Sequence, residues 1–545
     1  MPEYDILVVG GGIAGLRAAI AAKAAGAQVA LLSKTHPLRS HSAASPGGFN
    51  AALNVGDSEE KHAQDSANAG AGLCELSALE AMCRAAPHEA LHLDHVGVPF
   101  NRTNDGKLAV RPLNGNSAAR AVFASDFTGH VVLHTLYEQL LKEHIPTYDE
   151  WLATSLVVDD GQCQGVLALE LRTGNLAAFT APAVILATGG AGRLYHRSTA
   201  SRSCTGDGMS LAYRAGLRLV DMEMVQYHPL GFRAHRAFVS EATLAEGALL
   251  LDKAGQPALP ANGPLLRDRL ARILLEKGRE RGDDDWLSLD LRPLGKEVLA
   301  SRFQHLSRMA NDLAGVDITQ EPLPVRPLAH RLLGGVETNP NGATNLPGLF
   351  AAGECAWTGV HGANALAGNA LTASVVFGQR AGAAAAAYTK TIRSTPVAES
   401  ALRDEQARLA AIFSRSPGTH TVRQVSRDLA ALMDAHAGLV REENSLATAA
   451  TELTKLKERY DSLGLRHQGK MYNSELIAFF ELRSLLDVAE AIIAAAQARQ
   501  ESRGVHYRSD FPEPNESKWR QHTCVSRRAD GPLVETRTVN APPSS

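Results

Sequence analysis

Ten residues near the start of the chain fix most of what it can fold into. Ile6-Leu7-Val8-Val9 is apolar at every position, and Gly10-x-Gly12-x-x-Gly15 follows at once. A strand with no polar side is covered on both faces, which places it in the middle of a parallel sheet. Helical spacing over residues 16–25, closed by Gly26, and a second apolar run over 28–32 complete a strand–helix–strand unit. In that setting the glycines are a dinucleotide fingerprint. They allow a tight turn and a close backbone approach to a pyrophosphate, and the helix N-terminus offers free N–H groups to the anion.

The second strand of a nicotinamide-binding unit normally ends in an acidic residue that holds the ribose. Ser33-Lys34 stands there instead, which weakens a plain NAD reading. Three further segments lie far downstream. Residues 184–190 run from an apolar strand into Gly189-Gly190, and Thr205-Gly206-Asp207-Gly208 sets a carboxylate in a glycine-rich loop. Residues 348–354 form another strand ending in Gly353-Glu354, where the glutamate can bind ribityl or ribose hydroxyls. Their order describes a dinucleotide fold interrupted by an insertion near residues 222–336.

The bulk of the chain excludes other classes. It has 545 residues, 45% hydrophobic and 21% charged, the balance of a large-cored globular protein of roughly two to four units. A formal net charge of -3 gives no basic surface for nucleic acid. Cys74, Cys83, Cys163, Cys204, Cys355 and Cys524 occur singly. No zinc site or iron–sulfur cluster is therefore expected on this chain, no metal ligands are assigned, and a reducing compartment fits. No stretch reaches the ~20 apolar residues of a membrane span. Glu3 and Asp5 before a short apolar run are unlike a signal peptide. The alanine-rich run 381–387 fits a packed helix. A cytoplasmic location is expected, with any membrane contact made through a partner.

These pieces, with others in order along nearly the whole chain, resemble the flavoprotein subunit of succinate dehydrogenase and fumarate reductase. Arg39-Ser40-His41 resembles that family's covalent flavin site, and members of the family also carry Ser-Lys after the second strand. Thr128-Gly129-His130, His228-Pro229-x-Gly231, Ser240-Glu241 and Arg267-Asp268 leading to Arg272 match as well. So do Pro327-x-x-His330-x-x-x-Gly334-Gly335, His361-Gly362-Ala363-Asn364, Gly368-Asn369 and the tail segment 498–508.

The resemblance implies an α/β fold with a Rossmann-like FAD-binding domain at 1–221 and 337–390. An α+β capping domain is inserted at 222–336, followed by a helical domain at 391–500 and an extended tail at 501–545. Helical spacing of Leu453, Leu456 and Tyr460, and of Ile477, Phe480 and Leu485, supports the helical part independently. Pro512, Pro514, Pro542 and Pro543 argue against long helices in the tail. The implied cofactor is FAD, linked covalently through His41. Its implied contacts are Gly10, Gly12, Gly15, Ser33, Lys34, Gly47, Gly48, Gly189, Gly190, Asp207, Glu354, Asn369 and Leu371.

The family moves a hydride between flavin and a C–C bond of a dicarboxylate, and a proton to or from the neighbouring carbon. Flavin carries the hard step, and the protein positions and polarises. By resemblance His228 and His330 hold substrate, Ser240 contacts it, and Glu241 and Arg272 relay the proton. Two family arginines are missing. Leu244 stands where the relay's second arginine is expected, and Ala365 where an arginine clamps a substrate carboxylate. Leu230, Ser240, Leu113-Asn114 and Pro46 also depart from the family's threonines, Phe-Gly and glutamine. The departures fall on substrate and relay positions, while cofactor positions are kept. Arg331, beside His330, is the first candidate to restore the clamp; Arg233 and Arg236 are the others, since charge-assisted bonds are what orient a carboxylate. The expected activity is FAD-dependent oxidation or reduction of a succinate-like CH–CH bond. A relative turned to another carboxylate or an amine, and a flavin subunit without turnover, are the alternatives. Family members pair with iron–sulfur and membrane-anchor subunits. This chain has no cluster motif, so electrons go to such a subunit, a soluble acceptor or oxygen.

Overall fold

The computed structural model describes residues 3–259, 266–280, 286–392 and 399–540. The first apolar run is the central strand of a five-stranded parallel sheet, in the order Leu349–Ala351, Ala183–Leu186, Ile6–Val9, Val29–Ser33, Thr147–Asp149. Every residue of Ile6–Val9, Val29–Ser33 and Ala183–Leu186 is buried, as coverage on both faces requires. The first helix starts at Ile13, earlier than its apolar spacing suggests, because the glycine turn supplies its first turn. Gly10 has φ +122°, and a Cβ there would lie 2.2 Å from the Ala187 carbonyl oxygen. Only glycine tolerates both demands.

The alanine-rich run sits within the helix Asn369–Thr389, which packs along Ile13–Ala24. Gly378 and Gly382, one turn apart, face Ala14 and Ala18. A Cβ at Gly382 would fall 2.1 Å from the Ala18 carbonyl oxygen. The two helices meet backbone to backbone, which is how Ile13–Ala24, a helix without a polar face, is covered.

The insertion forms a four-stranded antiparallel sheet, in the order Val225–Phe232, Leu323–Leu332, Leu287–Asp290, Leu249–Leu251. It has its own core, including Phe232, Leu289, Phe303 and Val325. Pairing of Val225–Phe232 with Leu323–Leu332 slips register on both sides of His228. Such irregularities re-aim side chains, and here they carry His228 toward the first sheet. Four helices follow: Glu399–Ser414, Val422–His436, Glu443–Asp461 and Ser474–Ala498. Among the described residues no helix is long and apolar enough to cross a membrane.

The tail contains one short helix, Glu516–Trp519, among its described residues. Its two strands, Gln521–Arg528 and Gly531–Thr538, extend a sheet built on Leu219–Val220, Gly335–Glu337 and Ala356–Trp357. Pro542 and Pro543 lie outside the described residues. A buried ion network holds the tail in place. Arg499 donates through Nε to Glu223 at 2.5 Å and through Nη1 to Glu501 at 2.9 Å. His522 sits between Asp221 at 2.7 Å and Glu75 at 3.1 Å. Both ring nitrogens face carboxylates, so the imidazole is doubly protonated. Burial opposes that charge, but Asp221 and Glu75 outweigh it and lift the pKa to about 9. A folded-state pKa raised above the unfolded value stabilises fully below the unfolded pKa, and the gain is lost as pH rises through the folded one. The His522 contribution should therefore make the melting temperature decline as pH rises from 6.5 to about 9, and level off above it. In His522→Gln that part of the decline should flatten; a parallel decline in both proteins would remove His522 as its cause.

Candidate active site

A cavity of about 220 Å³ opens at the carboxyl ends of the parallel strands, where open α/β sheets bind ligands. Gly10 to Ala14, Ser33, Lys34, Gly189, Gly190, Gly353 and Glu354 form one half of its wall. The floor is shaped by absent side chains: a Cβ at Gly190 would lie 2.0 Å from Glu354 Oε1. Glu354 accepts the Leu332 N–H at 3.1 Å, and burial pushes its carboxyl up. Lys34 donates to Thr205, Asp207 and Glu481 at 2.7, 2.8 and 2.8 Å. Burial works against the ammonium, but the two carboxylates reverse that and raise its pKa. The lysine thus ties the second strand to the last long helix, Ser474–Ala498. A glycine floor, the open N-terminus of Ile13–Ala24 and a buried hydroxyl-binding carboxylate together fit a dinucleotide.

His41, Gly47, Gly48, Asp207 and Leu371 line the same cavity. His41 opens a short turn, His41–Ala44, lying on the helix Thr128–Lys142. A Cβ at Gly129 would strike the Ser42 carbonyl oxygen at 2.2 Å, so glycine lets the turn seat there. Burial, with the charge of Arg331 adding, pulls His41 down to about 4. Its ring is neutral at neutral pH and keeps a free lone pair.

Two expected cofactor contacts lie elsewhere. Gly15 is a packing residue, since a Cβ there would fall 1.9 Å from the Gly10 carbonyl oxygen. Asn369 turns away from the cavity: its amide donates to Ser66 Oγ, and its oxygen meets Asn50 and His62, each at 2.8 Å.

The other half of the cavity comes from the insertion: His228, Phe238, Ser240, Glu241, Arg267, His330 and Arg331. His228 Nδ1 accepts the Leu230 N–H at 3.2 Å, which leaves the ring proton on Nε2. His330 Nδ1 lies 2.7 Å from Thr199 Oγ1. Burial drives both imidazoles well below their usual range, so both are neutral. Glu241 Oε2 accepts Arg267 Nε at 2.6 Å, and Arg267 Nη1 donates to Gln226 Oε1 at 3.1 Å. Glu241 Oε1 is buried without a partner.

Arg272, expected as the relay arginine, does not reach the cavity; Arg267 is the arginine that stands beside Glu241 in its wall. Both lie on the helix Arg267–Arg279, and five residues turn about 140° round a helix axis. Arg267 therefore faces Glu241, while Arg272 faces the tail. There it stacks on Tyr507 at 4.9 Å and donates to the Gly504 carbonyl oxygen at 3.4 Å.

Of the three candidate clamps, Arg331 alone lines the cavity. It donates to His361 Nε2 at 3.2 Å, its Nε has no partner, and burial works against its charge. Among the described residues no carboxylate stands within ion-pair distance of it. Arg236 is exposed, and Arg233 is exposed and stacks on Trp286 at 4.9 Å. Ala365 is buried against an apolar cluster with Leu73, Met224, Leu333 and Val505.

The fold and the chamber define a flavin-dependent oxidoreductase. Residues 5–371 match the family described as FAD binding domain, and residues 426–544 match the family described as fumarate reductase flavoprotein C-term. The chain is 40% identical over 559 residues to the fumarate reductase flavoprotein subunit of Mycobacterium tuberculosis (strain ATCC 25618 / H37Rv), covering 97% of this chain and 96% of that protein. It is 38% identical over 562 residues to the succinate dehydrogenase flavoprotein subunit of Rickettsia bellii, covering 98% and 94%. Among solved structures, a variant of E. coli quinol fumarate reductase FrdA superposes with a TM-score of 0.94 at 34% identity, covering 100% of this chain and 98% of that one. Mycobacterium smegmatis Sdh1 in complex with UQ1 superposes at 0.87 and 31%, covering 99% and 96%. The chain belongs to the succinate dehydrogenase and fumarate reductase flavoprotein subunit family. It is an FAD-dependent oxidoreductase of that type, and the reading as a relative turned to another substrate is not favoured.

The geometry separates the two arginines experimentally. In a succinate–fumarate dye assay, Arg267→Gln should lose two or more decades of turnover, the scale of a positioned proton donor. Arg272→Gln should stay within about threefold, since it touches no cavity residue. A large loss in Arg272→Gln with near-normal turnover in Arg267→Gln would return the relay to Arg272, and equal losses would remove the distinction.

Proposed function

We propose that this chain binds FAD covalently through His41 and interconverts a succinate-like acid and its unsaturated partner. One observation carries the reading: a buried Glu241–Arg267 pair and two neutral histidines face one another across the cavity from the dinucleotide cradle. FAD, when bound, supplies the acceptor or donor of the hydride. Ser33, Lys34, Gly189, Gly190 and Glu354 would hold it, with Gly10 and Gly12 at its pyrophosphate.

The chain's own groups divide the remaining work. His228 and His330, neutral, give hydrogen bonds to one substrate carboxylate. Arg331, a buried cation with no carboxylate within ion-pair distance among the described residues, takes the other. That contact replaces the clamp missing at Ala365 and relieves the cost of burying the guanidinium. Arg267 delivers the proton to the substrate carbon during reduction and recovers one from Glu241; oxidation runs the same transfer backward. Gln226 accepts from Arg267 on its far side and fixes the guanidinium where Leu244 offers no second arginine. Ser240, buried at the chamber wall, contacts the carboxylate end.

The proposal extends to organisation. The chain divides at 1–221 with 337–390, 222–336, 391–500 and 501–545. It passes electrons to a separate iron–sulfur subunit, and membrane-anchor subunits hold the assembly at the inner face of the cytoplasmic membrane. The relatives' names as flavoprotein subunits support this, as does the lack of a cluster motif here.

Adding succinate anaerobically to the purified flavoprotein should bleach its absorbance rapidly, and Arg331→Leu should weaken the half-saturating concentration roughly a hundredfold or more. A chemically reducible flavin that succinate leaves oxidised would defeat the substrate assignment. For the covalent link, denaturation should leave flavin fluorescence on the unmutated chain and release it from His41→Ala. Free flavin from the unmutated chain would show that no bond forms at His41.

A further inference from the structure

Beyond Val225–Phe232 the chain doubles back, and residues 237–239 pair with the strand they have just left. Phe232 N–H donates to the Ala237 carbonyl and Val239 N–H to the Leu230 carbonyl, each at 2.8 Å, with Phe238 opposite Gly231. Side chains alternate along such a segment. Val239 is fully buried in the core of the insertion, so Phe238 faces the other way, into the cavity. Its ring meets His228 at 4.6 Å with 49° between planes, and His330 at 5.0 Å with 67°. The two imidazoles are themselves 5.0 Å apart at 71°. The two contacts of His330 are edge-to-face and that between His228 and Phe238 is tilted; all three separations fall in the range of favourable ring contacts. The three rings form a single wall, and Leu113, buried and apolar, lines the same cavity.

We infer that Phe238 is a specificity-determining residue that restricts the cavity to an unbranched acid. The inference rests on the dicarboxylate reading above and adds the shape of the substrate to it. A carboxylate held by His228 and His330 places the adjoining carbons beside the Phe238 ring. A hydrogen on those carbons fits there; a methyl group must push the ring, and the ring is braced by both histidines. The wall therefore acts by exclusion, and one methyl group set against an apolar wall is worth roughly 10- to 200-fold in selectivity.

The test compares kcat/KM for 2-methylsuccinate and for succinate in the flavin-loaded protein and in Phe238→Ala and Phe238→Leu. Using the ratio of the two substrates cancels any loss of active protein, and the leucine variant keeps aliphatic bulk should the alanine variant pack poorly. The ratio should shift toward the branched acid by tenfold or more in Phe238→Ala, with Phe238→Leu between. Ratios within twofold of the unmutated protein in both variants would overturn the inference. Failure of succinate to bleach the unmutated protein marks failure of the dicarboxylate reading instead, and takes this inference down with it.

Discussion

Main chain touching main chain at the end of the first strand is the contact on which the rest of the molecule depends. Gly10 lies against Ala187, Gly15 against Gly10, and Gly378 and Gly382 against the first helix, each with no room for a Cβ. The parallel sheet, its first crossover helix and the helix Asn369–Thr389 thereby close to backbone distance. That closure brings strand ends more than 300 residues apart in sequence, Val9 and Glu354, to one cavity wall. A side chain at any of these points would force backbone apart, and at Gly10 it would do so at the edge of the cavity. Overpacking in such a place is not absorbed by side-chain rearrangement, because the colliding atoms are backbone.

The insertion solves a different problem, that of keeping charge in a buried space. Arg267 has Glu241, and the two histidines are held neutral by burial. Arg331 is the exception: its guanidinium touches only a neutral imidazole, its Nε is unsatisfied, and the Glu354 carboxylate acts on it from beyond ion-pair distance. Buried charges persist when paired. A site that keeps this cation is therefore built to receive an anion, which is what a carboxylate substrate provides.

The cofactor half was legible in the sequence because its signals are local. A glycine turn between an apolar strand and a helix is specified within about ten residues, and Ser33, Lys34, Gly189, Gly190 and Glu354 all lie where their motifs put them. The substrate half was legible only in part. Arg267 and Arg272 stand on one helix within a charged run, and only the helix phase against Glu241 tells them apart. Asn369 sits in a matched motif, yet its amide is spent on Ser66, Asn50 and His62, partners that no spacing reveals. Phe238 carried no signal, since a half-buried phenylalanine after an exposed turn reads as ordinary hairpin packing. Its meaning comes from two histidines, ten residues before it and ninety-two after.

The loss of arginine at position 365 looks, in sequence, like a simple deletion of function. The proposed reading is relocation, and the packing around the two positions supports it. Ala365 is buried against Leu73, Met224 and Val505, and its carbonyl accepts from Gln226, the same side chain that steadies Arg267. A guanidinium inserted there would have to displace apolar side chains. Arg331, on the strand that carries His330, instead places its charge in the cavity wall itself. On that reading, a cation absent at 365 and supplied at 331 would keep the electrostatic requirement of a carboxylate site while changing the side from which the carboxylate is held. Of the other altered residues, Ser240 lines the cavity, whereas Leu230 and Leu244 pack with the insertion's own apolar core and bear on the site only through it.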